Sequence, residues 1–353
     1  MPDIIKQLRV LIVRLGAMGD ILHALPAITA LRAAHPDWFL GWAVEPQWRG
    51  LLAASNATVR SAAMPIVDRL HIVPAKAWAR HPLSAETVRD IRRVRHELRS
   101  AQYDVCVDLQ GALRSALLGR WAHTKRLIGE EKPREWAARY LFDEPVPTNG
   151  IHVIEQAVEV TNRIAHERLP DLLPWLPVSE AAAARMETVT ATFHGKPFVI
   201  LNPGAGWGAK RWPAERFGEI ARRFWEKSYG VVINFGPGEE MLARKVNAAS
   251  GNIALALSPA LEELIALTRL ASLVIAGDTG PLHLASALGK PTVGIFGPTD
   301  PARNGPFGGD FRVLRHPKSK RDHTRRAEPE AGLLTISPDE VWNAAMELLP
   351  DGR

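Results

Sequence analysis

The sequence predicts an α/β protein built from two Rossmann-like, doubly wound halves. Three stretches support this prediction, namely residues 8–31, 198–228 and 273–300. In each of them an apolar, strand-like run is followed by a glycine-containing turn and then by a helix-like segment. The run at 8–15 is apolar almost throughout, as expected of a parallel strand that is covered on both faces.

The 353 residues are enough for two domains of ordinary size, each with its own core. Hydrophobic residues make up 46% of the chain and charged residues 23%, which is typical of a globular protein. The segment 169–178 is rich in proline and has no helical or strand period, so it marks the domain boundary. We place the first domain at 1–175, the second at 176–333 and a final helix at 334–353.

Several classes of protein are excluded by what the sequence lacks. No apolar run approaches the roughly 20 residues needed to span a bilayer, so we expect no transmembrane segment. The N-terminus leads directly into a strand and lacks the apolar core of a signal peptide. The single cysteine, Cys106, cannot form an internal disulfide. We therefore expect a cytoplasmic protein.

The net charge is +6, and the excess is local. Residues 60–140 contain 16 Lys and Arg against 9 Asp and Glu, a surplus of 7 that exceeds the value for the whole chain. This distribution predicts an anionic partner for the first half. Nucleic acid is disfavoured because no interleaved aromatic pattern or binding motif accompanies the charge. A phosphorylated or carboxylated glycolipid at a membrane surface is the other candidate.

The first strand, at 8–15, is followed by the turn Gly-Ala-Met-Gly at 16–19 and an amphipathic helix from Asp20 to residue 32. The turn lacks the third glycine of a dinucleotide-binding fingerprint and the Lys-Ser or Lys-Thr of a P-loop, so it disfavours both. Asp20 is a carboxylate at a helix start beside the expected ligand crevice. It suits an N-cap, which the helix dipole favours, and it also suits a general base.

The rest of the first half predicts strands at 40–44, 69–73 and 103–109 and helices at 112–121 and 152–168. The arginine-rich segment 80–100 is more typical of a solvated helix face than of a binding site. Positive charge also gathers in the loops and helices near the carboxyl ends of these strands. That distribution indicates an acceptor-binding surface.

In the second half, a strand at 198–202 leads into a glycine-rich loop at 203–213, where backbone amides can approach a phosphate and Lys210 or Arg211 can neutralise it. The next strand, at 231–235, is followed by Glu240, and a carboxylate at that place suits a ribose diol.

The stretch Gly-Asp-Thr-Gly at 277–280 opens a helix, with Pro281 in its first turn. Asp278 or Thr279 can cap the exposed amides, and the helix start is suited to a phosphate, with His283 as a further donor. An ordinary capped helix explains these residues equally well. An aspartic protease needs two Asp-Thr-Gly copies, and the chain has one.

Three motifs, taken together and in this order, resemble family 9 glycosyltransferases, the bacterial ADP-heptose:lipopolysaccharide heptosyltransferases. The resemblance extends from the first strand to about Asp300. The motifs are Met-Gly-Asp-Ile-Leu-His at 18–23 with Leu-Pro at 25–26, Asn-Pro-Gly-Ala at 202–205 with Lys-Arg-Trp-Pro at 210–213, and Asp-Thr-Gly-Pro-Leu-His at 278–283 with Phe-Gly-Pro-Thr-Asp at 296–300.

The resemblance implies a GT-B fold, in which two Rossmann-like domains face each other across a cleft. The first domain would bind the acceptor and the second the nucleotide sugar, and the final helix would pack back toward the first domain. Asp20 would deprotonate the acceptor hydroxyl, and direct displacement would invert the anomeric carbon. On the donor side, the resemblance assigns Gly204 and Lys210 to the phosphate or leaving group, Glu240 to the ribose, Asp278 to the sugar hydroxyls, Thr279 and Gly280 to the pyrophosphate, and His283 to a phosphate oxygen.

On the acceptor side, the same resemblance and the charge pattern select a set of residues at the strand ends and in the basic loops. They are Gly19, His23, Lys76, Arg80, Gln110, Arg114, Arg120 and Arg134. The sequence contains no Asp-x-Asp pair, so we expect neither a metal nor another cofactor, with the ADP-sugar as a co-substrate. The implied enzyme is a monomer, peripheral to the inner membrane.

One departure from the family concerns the segment 315–323, which has no cysteine where many members carry cysteines. It leaves the class of heptosyltransferase and the acceptor open. Two alternatives remain: a GT-B enzyme that uses another nucleotide sugar, including an epimerase, and a non-catalytic binder of anionic glycans. The carboxylate of Asp20 favours an enzyme, because a binding protein has no need of it.

Overall fold

In the computed structural model, the chain divides into two compact units, Met1–Val178 and Ser179–Arg353. The structure describes residues 7–322, 324 and 326–349. The division falls at the end of the proline-rich segment 169–178, in which Val178 N–H donates a hydrogen bond to the carbonyl of Ala62 in the same unit.

Each unit is a doubly wound α/β domain. In the described part of the first unit, six parallel strands form one sheet in the order β3-β2-β1-β4-β5-β6. This is the Rossmann order, in which the chain reverses direction across the sheet between β1 and β4 and opens a crevice at their carboxyl ends. The strands are β1 (Arg9–Val13), β2 (Phe39–Val44), β3 (Arg69–Ile72), β4 (Val105–Asp108), β5 (Arg126–Glu130) and β6 (Glu144–Val146).

Helices cover this sheet, and their apolar residues form its core with the strands. The helices are α1 (Met18–Ala34), α2 (Ala75–Arg80), α3 (Ala85–Ser100), α4 (Leu113–Trp121) and α5 (Val153–Ala165), with 3-10 helices at Pro46–Leu51 and Trp136–Leu141. The predicted helix at 80–100 is in fact two helices. Ser84 begins the second of them, because its hydroxyl accepts a hydrogen bond from the N–H of Thr87 at 3.1 Å.

The second unit repeats the arrangement. Within its described residues, six parallel strands follow the order β12-β11-β10-β7-β8-β9, so β7 and β10 flank the switch point. The strands are β7 (Phe198–Asn202), β8 (Gly230–Asn234), β9 (Leu255–Leu257), β10 (Leu273–Gly277), β11 (Thr292–Phe296) and β12 (Phe311–Arg315). No strand is predicted after Asp300, and the structure adds β12 there. Its side chains are mostly half-buried and two of its five residues are arginine, so it lacks the apolar run of an inner strand.

The helices of the second unit are α6 (Glu180–Thr190), α7 (Ala214–Glu226), α8 (Glu240–Ala249), α9 (Leu261–Leu270), α10 (Gly280–Ala287), α11 (Pro301–Asn304) and α12 (Pro338–Met346), with 3-10 helices at Ala191–Phe193, Gly208–Lys210 and Leu333–Thr335. The final helix, α12, packs against α7, β11 and β12 of its own unit. The ring centroids of Phe224 and Trp342 lie 5.0 Å apart in this contact. The expected return of this helix toward the first domain stays a prediction.

None of the helices in the described ranges has both the length and the apolar composition needed to cross a bilayer.

A buried ion pair anchors α1 to the first sheet. Arg32 and Asp68 are each 5% exposed, and their charged groups meet at 2.6 Å. Asp68 also accepts a hydrogen bond from the N–H of Leu40 at 2.7 Å and pairs with Arg60 at 2.6 Å. Burial acts to raise the pKa of the Asp68 carboxyl, but the hydrogen bonds from Arg60, Leu40 and Arg32 lower it below the ordinary value.

We expect Asp68→Asn to lower the free energy of unfolding by about 3–5 kcal/mol, because it leaves the Arg32 guanidinium buried without its countercharge. Chemical denaturation at neutral pH measures this loss. Since the folded-state pKa of Asp68 is depressed, its contribution is present above the unfolded pKa of about 4 and is lost as the pH falls through the folded value. The difference in free energy of unfolding between wild type and Asp68→Asn should therefore become smaller at acidic pH.

Asp90→Asn is the matched control, because Asp90 forms an exposed pair with Arg93 at 3.4 Å and should contribute less than about 1 kcal/mol. Equal losses in the two variants would contradict a special role for the buried pair.

Candidate functional site

At the switch point of the first unit, the loops that leave β1 and β4 are joined by hydrogen bonds. Val13 and Asp108 are register partners at the ends of these strands. The N–H of Leu15 donates to Oε1 of Gln110 at 2.8 Å, and the Arg14 guanidinium donates to the carbonyl of Leu109. Gln110, predicted to contact the acceptor, is buried and uses its side-chain oxygen to hold the β1 loop.

Asp20 lies in the first turn of α1, above this switch point. The helix begins at Met18, so Ala17 and not Asp20 occupies the N-cap position. Oδ2 of Asp20 accepts a hydrogen bond from the N–H of Ala17 at 2.8 Å, and Oδ1 pairs with Nη2 of Arg14 at 2.9 Å. The side chain is 41% exposed, and each carboxylate oxygen has a second lone pair. The carboxylate is therefore fixed in place and still able to accept a proton.

Asp108 is an acidic residue at this edge that the sequence analysis did not select. Burial raises the pKa of its carboxyl to about 6, although the Ser115 hydroxyl and the N–H groups of Gln110 and Gly111 donate to it. These bonds close the turn that carries Gln110. The sequence signal for Asp108 was the presence of an acidic residue at the end of the apolar strand β4.

The remaining first-unit candidates fall into two groups. Lys76, Arg80, Arg114 and Arg134 are exposed, as an acceptor surface requires. The others have contacts within the unit: Gly19 is part of α1, the ring of buried His23 meets that of His152 edge-on at 5.5 Å, and Arg120 pairs with Asp143 at 2.8 Å. Their roles toward the acceptor stay predictions.

In the second unit, the side chains of a lysine, an aspartate and a histidine meet at the switch point between β7 and β10. Nζ of Lys210 lies 2.5 Å from Oδ2 of Asp278, and Nε2 of His283 lies 3.1 Å from Oδ1 of the same carboxylate. Lys210 comes from the loop after β7, whereas Asp278 and His283 come from the turn after β10 and from α10. Burial acts to raise the pKa of Asp278, but the hydrogen bond and charge of His283 and the charge of Lys210 hold it well below the ordinary range.

The start of α10 corrects one sequence expectation. Asp278 is engaged by Lys210 and His283, and Thr279, at the N-cap position, donates its hydroxyl to the carbonyl of Gly277 at 3.2 Å. Neither side chain caps the helix. The first backbone N–H groups of α10 thus have no side-chain cap, which suits an anion at this helix start.

An asparagine pair connects the glycine-rich loop to this turn. Asn234, at the end of β8, donates to Oδ1 of Asn202 at 2.6 Å. The Asn202 amide donates in turn to the carbonyl of Gly204 at 3.2 Å and to the hydroxyl of Thr279 at 3.4 Å. The loop after β7 and the turn before α10 are therefore held in register. Sequence reasoning missed Asn234, whose signal was a polar residue at the end of an apolar strand.

Glu239 and Glu240, the two acidic residues after β8, have different contacts. The Glu239 carboxylate accepts the N–H of Gly236 at 2.9 Å, and a Cβ built on Gly204 would lie only 2.1 Å from it. Glu240, the predicted ribose ligand, is exposed and accepts a hydrogen bond from the N–H of Gly238 at 3.1 Å. Glu239 is therefore the acid that faces the glycine-rich loop.

The glycine-rich loop is covered by the segment that follows β12. Ala209 N–H donates to the carbonyl of Arg326 at 3.1 Å, and Glu330 N–H donates to the carbonyl of Ala209 at 3.2 Å. A Cβ built on Gly208 would lie 1.6 Å from the carbonyl oxygen of Ala327, so this position requires glycine. Across the residues that the structure describes, no three His, Cys, Asp or Glu side chains form a metal-binding group.

Comparison with known proteins matches residues 91–333 to the family Glycosyltransferase family 9 (heptosyltransferase). Lipopolysaccharide heptosyltransferase 1 of Pseudomonas aeruginosa is 28% identical over 305 residues, covering 85% of this chain and 82% of that protein. The enzyme of the same name from an Escherichia coli strain is 30% identical over 313 residues, covering 88% and 92%.

The fold is similar to that of the Escherichia coli heptosyltransferase WaaC, solved with ADP. That structure superposes with a TM-score of 0.79 at 23% identity, covering 97% of this chain and 100% of that one. The same enzyme solved with ADP-2-deoxy-2-fluoro heptose gives a TM-score of 0.77 at 24% identity, covering 96% and 99%. Together with the two Rossmann-type sheets, these superpositions confirm the predicted GT-B class.

The family match covers more than half of the chain. The three motifs form the first part of α1 at 18–26, the loop after β7 at 202–213, and the turn, helix α10 and strand β11 at 278–300. The chain is therefore a glycosyltransferase that belongs to family 9, the heptosyltransferase family.

Proposed function

We propose that this enzyme transfers a heptose from ADP-heptose to a Kdo-lipid A type acceptor of the lipopolysaccharide inner core, with inversion at the anomeric carbon. The observation that carries the proposal is the convergence of Lys210, Asp278 and His283 on the uncapped start of α10. The two relatives compared above are both named lipopolysaccharide heptosyltransferase 1, which favours the first heptose addition. WaaC, the structural neighbour, was solved with ADP and with a fluorinated ADP-heptose.

On the donor side, the diphosphate would bind at the start of α10, where N–H groups and the helix dipole favour negative charge. Lys210 would leave its pairing with Asp278 to neutralise the departing ADP, which stabilises charge that develops in the transition state. His283 would contact a phosphate oxygen, and Asp278, once freed, the sugar hydroxyls. Glu240 remains the proposed ribose ligand, with Glu239 as the neighbouring acid.

On the acceptor side, Asp20 would act as the general base that removes the proton from the attacking hydroxyl. Its two hydrogen-bonded oxygens hold the carboxylate in one orientation. Arg14 is the positioning residue, because it contacts both Asp20 and the carbonyl of Leu109. Exposed Lys76, Arg80, Arg114 and Arg134 would pair with the phosphate and carboxylate groups of the glycolipid.

The site needs no divalent metal in this proposal, because Lys210, His283 and the α10 N-terminus supply the positive charge. No other cofactor takes part. The enzyme would act as a monomer in the cytoplasm, peripheral to the inner membrane where its acceptor resides.

The proposal is tested by incubating the enzyme with Kdo-lipid A and a series of nucleotide sugars and measuring the mass of the product. We expect the acceptor to gain one heptose from ADP-heptose and no sugar from UDP- or GDP-sugars. The rate should be unchanged by EDTA. Preference for another nucleotide, or activity that is lost with EDTA and restored by magnesium, would contradict the donor assignment or the metal-free mechanism respectively.

Asp20→Asn should lower kcat by about a thousandfold, because the amide cannot accept the hydroxyl proton. Calorimetry should show ADP-heptose binding within about twofold of wild type, since Asp20 lies on the other unit from the donor residues. Asp90→Asn, which changes a half-exposed carboxylate on α3, serves as the control and should leave both quantities unchanged. Near-normal turnover in Asp20→Asn would remove the base assignment.

Lys210→Met should weaken ADP binding and also lower kcat by about a hundredfold, because the lysine charge is needed most as ADP departs. Lys245→Met, which changes an exposed lysine on α8, is the matched control. A variant with weaker binding and unchanged kcat would restrict Lys210 to ground-state binding. Thermal denaturation of both variants separates these effects from a loss of folded protein.

A further inference from the structure

The first unit carries an exposed apolar surface that the sugar-transfer site does not use. We call the exposed side chains of Leu113, Leu117, Trp136 and Tyr140 the aromatic surface. Trp136 is 75% exposed and Tyr140 73% exposed, and their ring centroids lie 5.8 Å apart. Leu113 and Leu117 are each 41% exposed, one helical turn apart on α4, which packs against the 3-10 helix that carries the two aromatics.

The backbone beneath these side chains is firmly held. Ala138, between the two aromatic residues, is completely buried in the first-unit core. Glu135 N–H donates to the carbonyl of Gly111 at 2.8 Å, and the Glu135 carboxylate accepts the N–H of Leu113 at 2.8 Å. The rings therefore project from a well-anchored segment. Single exposed apolar residues are common, but a paired and supported group indicates an interaction surface.

Positive charge surrounds the aromatic surface. Two nearby acids are paired with arginines: Glu131 with Arg139 at 3.4 Å, and Asp143 with Arg120 at 2.8 Å. A third, Glu135, accepts the N–H of Leu113. The exposed cations Arg114, Lys132 and Arg134 have no ion pair within the part of the chain that the structure describes. Unpaired cations beside exposed tryptophan and tyrosine match a bilayer interface, where the rings lie at headgroup level and the cations meet anionic lipids.

The position of the surface fits a role in catalysis. Residues 133–135 pack on the loop at Gly111. A Cβ built on Gly111 would lie 3.0 Å from the backbone nitrogen of Arg134. That loop follows β4 at the switch point, where Gln110 holds the loop that leads to Asp20. A bilayer in contact with the aromatic surface would thus bring a lipid-anchored glycan to the acceptor side of the first unit.

We propose that the aromatic surface, with Arg114, Lys132 and Arg134 beside it, docks this enzyme on a bilayer that contains anionic phospholipid. The inference rests on the proposed function in that only a lipid-anchored acceptor requires such docking. Trp136 and Tyr140 insert at the headgroup level. The three cations supply the preference for anionic lipid, and two of them, Arg114 and Arg134, also serve the anionic groups of the acceptor glycolipid in the proposed function.

The test is sedimentation of the full-length protein with vesicles of phosphatidylethanolamine and phosphatidylglycerol, compared with vesicles of phosphatidylcholine alone. Wild type should bind the anionic vesicles and release partly at high salt. The double variant Trp136→Ser with Tyr140→Ser should lower the partition coefficient by about tenfold. Lys132→Gln should lower it by about fivefold on anionic vesicles only, because a cation near such a surface contributes about 1 kcal/mol.

Trp225→Ser is the matched control, because Trp225 is a half-exposed tryptophan on α7 of the second unit. It should bind vesicles as wild type does. Equal binding by wild type and the double variant, or equal binding of wild type to both kinds of vesicle, would overturn the proposal. So would light scattering that showed a dimer dependent on Trp136 and no vesicle binding, since the partner would then be a second copy of the chain.

Transfer to a water-soluble, deacylated acceptor separates this inference from the proposed function. The double variant should match wild type on that acceptor and fall behind only when the acceptor is presented in vesicles. If wild type binds anionic vesicles but transfers no heptose to either acceptor, the proposed function is refuted. The docking proposal would still be judged by the vesicle-binding experiment alone. Loss of activity on the soluble acceptor would place the aromatic surface in the sugar site and refute the docking role.

Discussion

The structure depends on one constraint, which is that all strands of each described sheet run parallel. A parallel strand needs a crossover connection, so helices cover both faces and every loop that follows a strand emerges at the same edge. At the switch between the first and fourth strands of a unit, two such loops leave in opposite directions and open a crevice. Asp20 stands at this point in the first unit, and Lys210 with Asp278 stands at it in the second.

In the second unit, Lys210 and His283 both pair with one buried carboxylate, that of Asp278. Asp278 stays ionised although it is buried, because His283 and Lys210 contact its two oxygens. A buried charge is expensive unless it is paired, and so the pairing positions the lysine and histidine before any ligand arrives. In the proposed mechanism, an arriving diphosphate offers Lys210 and His283 a second anionic partner at the same place. In the proposed mechanism this arrangement is a preorganised anion site, and the Asp278 carboxylate is released to bind sugar hydroxyls.

In the first unit, hydrogen bonds connect Asp20, the proposed catalytic base, to the neighbouring loops. Arg14 joins Asp20 to the β4 loop, Gln110 joins that loop to β1, and Glu135 joins the same loop to the segment that carries Trp136. Buried Asp108 organises the turn by accepting three hydrogen bonds, although burial raises its pKa to about 6. The loops at this edge are therefore connected to one another through the backbone of residues 108–111.

The sequence by itself determined the α/β class, the two doubly wound halves and the glycine-rich loops, because apolar runs, helical spacing and turn residues are local signals. The family followed from the resemblance of three motifs to family 9 glycosyltransferases. The sequence did not show that β12 completes the second sheet, since an edge strand with arginine at two of its five positions has no long apolar run. It selected Lys210, Asp278 and His283 separately, but only tertiary structure brought them within hydrogen-bonding distance across 68 residues of chain. The same reason explains why Gln110 and Arg120 proved to be engaged with the fold and why Asn234 was missed. A side chain's partner depends on which distant loops the sheet places beside it, and that information is absent from local spacing.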